Sequence, residues 1–243
     1  MGLRATIATP EGKAPYVRGL FGTIADRYDF ITVLLSYGQD RRWKRRLLAV
    51  AAPLAGRRVL DLACGTGDLA WSAAAEGATV TGLDLTPRMI ALARAKARAG
   101  DGEAHAAFLV GDMMRLPLGS SSFDVVTTGY GLRNVPILET AIAEIRRVLR
   151  PGGLFLSLDF NRPDAAWLRG IYLAYLTLVG SIVGLALHGD PDTYRYIPES
   201  IRHYPGAEGI VARLRAAGFE RVRWEPVLGG LLAIHVAERG AAP

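Results

Sequence analysis

Two carboxylates close apolar runs, Asp84 at the end of TVTGLD (79–84) and Asp112 at the end of AFLVGD (107–112). A third, Asp61, sits inside RVLDL (58–62), which breaks into the small-residue turn ACGTGD (63–68). A carboxylate at the carboxyl end of a strand is ionised and oriented, and it can accept both hydroxyl hydrogens of a ribose. The turn carries Gly65 and Gly67 but has Ala63 where a dinucleotide fingerprint has its first glycine. No Gly-Lys-Ser/Thr follows, and Asp61 and Asp68 would repel a triphosphate.

Asp84 follows Gly67 by seventeen residues, the reach expected of a ribose acceptor on the second strand. Gly111-Asp112-Met113 suits an adenine edge: Asp112 accepts from the exocyclic amine while Met113 or Met114 packs on the ring, although a methionine is as often core filling. Three carboxylates around one pocket favour a ligand with an ammonium and a sulfonium over one with a pyrophosphate. S-adenosylmethionine answers that description.

The elements that must position these groups follow from periodicity. Strands are expected at 58–62, 79–84, 107–112, 123–129, 154–160, 219–226 and 231–238, and helices fall between most of them. Thr86-Pro87 starts the helix RMIALARAKARA, and Pro151-Gly152-Gly153 stops ILETAIAEIRRVL. This alternation predicts an α/β fold with a mostly parallel, Rossmann-like sheet covered on both faces. The last two strands are joined only by VLGG, too short for a parallel crossover, so they are expected to pair as an antiparallel hairpin.

The 243 residues are 50% apolar and 21% charged, which excludes disorder and fits one globular domain. Cys64 is the single cysteine, so no intrachain disulfide can form and a reducing compartment is expected. MGLRATIATPEGKAP lacks an apolar signal region and reads as a loose, basic lead-in. Residues 1–58 hold eleven Lys/Arg against four Asp/Glu, while the rest holds eighteen against nineteen. The excess peaks in DRRWKRR (40–46), either a solvated helix face or a contact for an anionic surface. Seventeen residues from Ile171 to Leu187 carry no formal charge; this is short of a bilayer span and is expected to be a buried helix or one covering an apolar pocket. The four histidines and lone cysteine give no metal-ligand spacing, so no metal is expected.

DLACGTGD, GLDLTPRMIALA, GDMMRLPL, FDVVTTGYGLRNV and RVLRPGG together resemble the class I methyltransferase core. With FGTIADRYDFI (21–31), DRRWKRR and YRYIPESIRHYP (194–205), the chain from about Val17 to His235 resembles the C-methyltransferases of menaquinone and ubiquinone biosynthesis. That resemblance implies one domain over 1–243, with a helical lid at 15–50 and a cofactor-binding core at 56–160. A substrate-side helical insertion follows at 161–205, then a terminal helix and hairpin at 206–238. It implies S-adenosylmethionine contacts from Asp61, Ala63, Gly65, Thr66 and Gly67, from Asp84 and Leu85, and from Asp112 and Met113. A family serine falls on Gly129, leaving that contact to backbone, and Tyr130 replaces the more common phenylalanine.

The implied reaction is methylation of a ring carbon in a polyprenylated demethylquinol, demethylmenaquinol before a benzoquinol. Arg133 is the expected catalytic centre: always protonated, it can hold a developing phenolate or orient a water. Tyr28 in the lid and Asn134 beside Arg133 are the next candidates; Asn134 is alternatively a cap for the helix begun near Pro136. His203 and Asp159 are considered as proton acceptors, Asp159 equally as a fixed partner for Arg133. The expected partners are a lipophilic quinol, an anionic membrane surface touched from the cytoplasm and a second copy in a homodimer, with no nucleic acid. Another small lipid acceptor, an RNA or protein acceptor, and a non-catalytic binding subunit stay open as alternatives.

Overall fold

The computed structural model describes residues 3–99 and 105–241. The chain opens with four helices, α1 (Leu3–Ile7), α2 (Pro10–Ile24), α3 (Tyr28–Leu35) and α4 (Asp40–Ala49). It continues through β1 (Arg58–Leu62), α5 (Asp68–Ala75), β2 (Thr79–Asp84), α6 (Pro87–Ala99), β3 (Ala106–Val110), β4 (Phe123–Gly129), α7 (Leu138–Val148) and β5 (Leu149–Phe160). Then come α8 (Ala166–His188), α9 (Tyr196–His203), α10 (Gly206–Ala216), β6 (Phe219–Val227) and β7 (Leu232–Arg239).

Among the described residues seven strands form one sheet in the order β3-β2-β1-β4-β5-β7-β6. β1, β2, β3, β4 and β5 run parallel, and β7 inserts antiparallel between β5 and β6. The hairpin expected from VLGG is therefore present. Alternate residues feed two cores: Val59, Val125, Leu156 and Val236 face α4, α5 and α6, while Leu60, Val126, Phe155 and Ala237 face α7 and α10. Burial on both faces explains why these strands read as continuous apolar runs. The parallel strands all end on the side where Asp84, Gly129 and Asp159 stand.

Several expectations need correction. β3 ends at Val110, so Asp112 lies beyond it, in an isolated bridge to Arg115. The N-terminal lead-in is not loose: Thr9 caps α2 by accepting from the Gly12 N–H, Pro10 takes its first turn, and Arg4 donates to Glu199 at 3.0 Å. DRRWKRR is not simply a solvated face either, because Trp43 and Lys44 turn inward beside Leu47 and Leu48. The uncharged stretch belongs to a 23-residue helix, α8, long and apolar enough to cross a membrane. Nor is α8 a core helix: Tyr172, Leu173, Gly180 and Gly184 are buried, whereas Leu178, Ile182 and Leu185 stand about 60% exposed. Two glycines let the next segment approach closely: a Cβ at Gly184 would meet the Asp190 carbonyl oxygen at 2.5 Å, and one at Gly180 the Tyr194 Cβ at 3.2 Å.

His235 on β7 supplies a test of the core. It is 1% exposed, its Nε2–H donates to the Ala207 carbonyl at 3.2 Å, and its Nδ1 has no partner. Burial lowers its pKa from 6.5 to about 4. The unfolded chain thus binds the extra proton first, and stability falls as pH drops from about 6.5 toward 4. Denaturant unfolding at pH 7 and pH 4 should show His235→Gln losing about 3 kcal/mol less than wild type across that interval. Equal losses in the two proteins would refute the assignment.

Candidate functional site

The turn after β1 is built on left-handed backbone at Ala63, Gly65 and Gly67, with φ of 50°, 55° and 87°. At Gly67 the requirement is also steric, since a Cβ would come within 3.0 Å of Phe108 and 3.1 Å of Trp71. Ala63 adopts the same region despite its Cβ, which is how the turn dispenses with a first glycine. Asp84 lashes this turn to the next one: Oδ2 accepts from the Gly65 N–H at 2.9 Å and Oδ1 from the Thr86 N–H at 2.8 Å. Burial pushes the Asp84 carboxyl up, and these two bonds oppose that shift. The Thr86 side chain adds a further hydrogen bond to the same carboxylate.

Three cavities meet around this turn. The first is a crevice of about 740 Å³ over the ends of β1, β2 and β4, bordered by Ala63, Gly65, Asp84, Leu85, Asp112 and Met113. Gly129 and Asn134 complete that wall, and α2 roofs it with Ala14, Val17 and Phe21. The Asp112 carboxylate is braced by the Met114 N–H at 2.8 Å, and Met113 is buried beneath it.

The second cavity is an apolar chamber of about 1280 Å³ between α2, α3, α8 and α9. Its wall is aromatic and aliphatic, and among the described residues Arg133 is its one formal charge. Arg133 lies in the turn after β4, 6% exposed, with its guanidinium 4.9 Å over the Phe160 ring. Asp159, fully buried at the end of β5, sits 3.4 Å from Nε and accepts from the Arg133 backbone N–H at 3.2 Å. Burial raises the Asp159 carboxyl, and Arg133 opposes this. Nε makes no hydrogen bond, so the guanidinium keeps a donor unspent.

Asn134 accepts from Arg133 Nη1 at 3.0 Å and from the Tyr196 hydroxyl at 2.9 Å, and its Nδ2–H donates to the Tyr130 carbonyl at 2.8 Å. It does not cap a helix; α7 starts at Leu138 with Ile137 before it. Behind the same turn Lys13 donates to the Arg133 and Val135 carbonyls at 2.8 and 2.9 Å, and burial lowers its pKa to about 8. Gly131 brings this turn against the first one, for a Cβ there would meet Ala63 Cβ at 2.9 Å.

The third cavity is small and polar, about 320 Å³, and touches Lys44, Asp61, Thr66 and Asp68. Lys44 pairs with Asp40 at 2.6 Å and Asp68 at 3.2 Å. Asp68 also meets Lys96, which reaches Asp29 on α3, each at 2.8 Å. Asp61 is 1% exposed; Thr127 donates to Oδ1 at 2.9 Å, while Oδ2 has no partner. Burial raises this carboxyl to about 7.

The expected residues therefore divide by cavity. Asp61 and Thr66 face the polar cavity rather than the crevice, and Thr66 spends its hydroxyl on Asp29 while accepting from Lys96. Gly67 borders neither; it precedes α5 as its left-handed cap. Tyr28 and Tyr130 border all three spaces. His203 stands apart, its ring bonded to the Glu199 carbonyl at 2.9 Å, and Asp159 is the fixed partner of Arg133. Sequence reasoning passed over Lys44, Lys13, Tyr172 and Tyr196. For Lys44 a signal existed, the four-residue spacing from Asp40 across an inward-facing Trp43.

The profile of the ubiE/COQ5 methyltransferase family matches residues 9–239. A ubiquinone/menaquinone biosynthesis C-methyltransferase from Rubrivivax gelatinosus is 42% identical over 93% of this chain and 88% of its own length. A demethylmenaquinone methyltransferase from Thermus thermophilus is also 42% identical, over 90% of this chain and 100% of its own. Among solved structures, an S-adenosylmethionine-dependent methyltransferase from Thermotoga maritima superposes with a TM-score of 0.65 at 20% identity, covering 92% of this chain and 99% of that one. The [4+2]-cyclase SpnF, at a TM-score of 0.62 and 23% identity over 82% of this chain and 81% of its own, shares the fold with a different reaction. The chain belongs to the ubiE/COQ5 methyltransferase family, an S-adenosylmethionine-dependent methyltransferase.

Proposed function

We propose that this enzyme methylates a ring carbon of a polyprenylated demethylquinol, converting demethylmenaquinol to menaquinol. The observation that carries the reading is a buried cation, Arg133, the one formal charge among the described residues in the wall of a chamber that meets the donor crevice at Phe21, Tyr28 and Tyr130. The donor supplies a methyl group activated on a sulfonium. Asp84, Asp112 and the turn after β1 hold the donor, and the chain's remaining task is to present a ring carbon in line with that methyl and to manage a quinol hydroxyl.

Arg133 stabilises the phenolate that forms as the hydroxyl passes its proton to a water molecule, since a fixed cation in apolar surroundings acts far more strongly than in water. Asp159 and the Phe160 ring hold its plane, and Asn134, fixed by Tyr196, sets the position of a ring oxygen. Tyr28 closes the junction from the lid and keeps water from the methyl.

A polyprenyl tail also accounts for the outside of the chamber. α8 exposes Ile171, Leu178, Ile182 and Leu185, α3 exposes Phe30, Val33 and Leu34, and the turn after α3 exposes Tyr37, with the Tyr37 and Tyr175 hydroxyls in contact between them. This apolar face flanks the chamber, and the reading is that it rests on the cytoplasmic face of a membrane in which the substrate resides.

Labelled methyl transfer to reduced demethylmenaquinol should fall by about a hundredfold in Arg133→Ala, roughly 2.7 kcal/mol of transition-state stabilisation, with donor binding retained. A benzoquinol should be the poorer acceptor. Transfer to neither ring by wild type, with the donor bound, would sink the quinol reading. In flotation with anionic vesicles, wild type should rise with the lipid and Leu178→Lys/Ile182→Lys should not, while both turn over a short-tailed quinol equally. Wild type that stays with the soluble fraction and elutes as a dimer would instead give the face to a second copy.

A further inference from the structure

Of the residues that line the apolar chamber, four are exposed: Tyr37 and Gln39 in the turn after α3, Tyr175 on α8, and Leu228 in the link between β6 and β7. They mark its mouth. Tyr37 is 75% exposed, Leu228 51% and Tyr175 42%, whereas Ile24, Ile31, Tyr194 and Tyr196 in the other walls are buried. We propose, resting on the quinol reading, that the acceptor's hydrocarbon tail leaves the chamber through this mouth, and that Tyr37, Tyr175 and Leu228 make the enzyme discriminate among acceptors by their tails.

The rim is built on costly backbone. Tyr37 and Leu228 hold φ of 51° and 50°, the left-handed region that bulky residues rarely enter. Glycine adopts it freely and stands next to each of them, as Gly38 and Gly229. Neither side chain offsets that cost in the core, since both are exposed. Backbone held in a sparsely populated region gathers at ligand clamps, and here it sets two apolar side chains on the edge of one opening.

The exposed apolar rows of the flanking helices converge on the same place. On α8, Ile171, Tyr175, Leu178, Ile182 and Leu185 recur at alternating four- and three-residue steps, which puts them on one stripe, and Tyr175 is the member that borders the chamber. On the other side Phe30, Val33 and Leu34 of α3 lead to Tyr37 by similar steps. A hydrocarbon chain that emerges between the two rows stays on apolar surface all the way out, while a polar chain would lose water along that path.

The Tyr37 and Tyr175 hydroxyls touch across the opening, so passage of a tail requires that contact to part. A tyrosine ring packs on hydrocarbon while its hydroxyl stays with water, and each phenol can therefore turn its face to the tail and keep its oxygen at the polar boundary. Leu228 supplies the third side of the mouth. The β6–β7 link thereby takes part in selecting the acceptor as well as in joining two strands of the sheet.

The test compares methyl transfer in detergent, where docking on a bilayer plays no part, to one demethylnaphthoquinol ring carrying either a single prenyl unit or a tetraprenyl tail. A negative charge at the mouth penalises a tail long enough to lie in it. Leu228→Glu and Tyr175→Glu, both at exposed positions, should lower kcat/KM about tenfold more for the tetraprenyl acceptor than for the monoprenyl one, with the loss carried by KM. Leu178→Lys/Ile182→Lys, on the same stripe of α8 but away from the chamber, should keep the wild-type ratio. In Tyr37→Cys/Tyr175→Cys, joining the two cysteines with a short bismaleimide should abolish transfer to the tetraprenyl acceptor while S-adenosylhomocysteine still binds; Cys64 is buried and shielded from the reagent. Equal losses for the two acceptors in the glutamate variants would overturn the proposal. So would a cross-linked protein that methylates the long-tailed acceptor as fast as the uncross-linked one. Wild type that methylates neither acceptor would overturn the quinol reading, and the tail's route with it.

Discussion

Burying a guanidinium costs several kcal/mol unless it is paired and its surroundings hold it in place. Arg133 meets that cost with Asp159 at the end of β5, the Phe160 ring beneath it, and Asn134 at its tip. The chamber can then stay apolar and still contain one fixed positive charge. The supports come from distant parts of the chain: Lys13 from α2 grips the carbonyls of the turn, and Tyr196 from α9 fixes Asn134. The N-terminal helices and the segment after β5 thus both reach the same few atoms, which binds the geometry of that turn to the docking of the helices outside the sheet.

The crevice at the ends of β1 and β2 follows a second rule, in which carboxylates are held by backbone. Asp84 ties the β1 and β2 turns through two N–H groups, which holds the rim of the crevice in shape. Around the polar cavity, Asp29, Asp40, Lys44, Asp68 and Lys96 connect α3 and α4 to α5 and α6 through alternating charges. The outer part of this network is partly exposed and screened by salt, so it is a modest source of stability; the inner Lys44–Asp40 contact is buried and screened much less.

Much of the fold was legible because it rests on local rules. Short apolar runs bounded by turn residues gave the strands, Thr86-Pro87 marked a helix start, and a four-residue link could only join antiparallel strands. The carboxylates at strand ends were legible for the same reason, since position on a strand fixes where a side chain stands. What the sequence hid depends on long-range packing. Nothing local says that Lys44 turns inward, that Thr66 is claimed by Asp29 and Lys96, or that one side of α8 stays uncovered. Asp112 misled by one structural step: AFLVGD reads as a continuous strand, but pairing with β2 ends at Val110 and the carboxylate sits on the following turn.

The insertion of β7 between β5 and β6 has a consequence for how the molecule is made. β7 is the last strand in chain order yet occupies an interior position, pairing Ser157 with His235 on one side and Trp224 with His235 on the other. During synthesis β5 therefore emerges long before its neighbour, and its edge, with Asp159 near the tip, waits unpaired while α8, α9, α10 and β6 follow. β6 has no strand to join until β7 arrives. The sheet is completed from within by β7, so the nascent chain must shield an open apolar edge from other chains until that strand has been made.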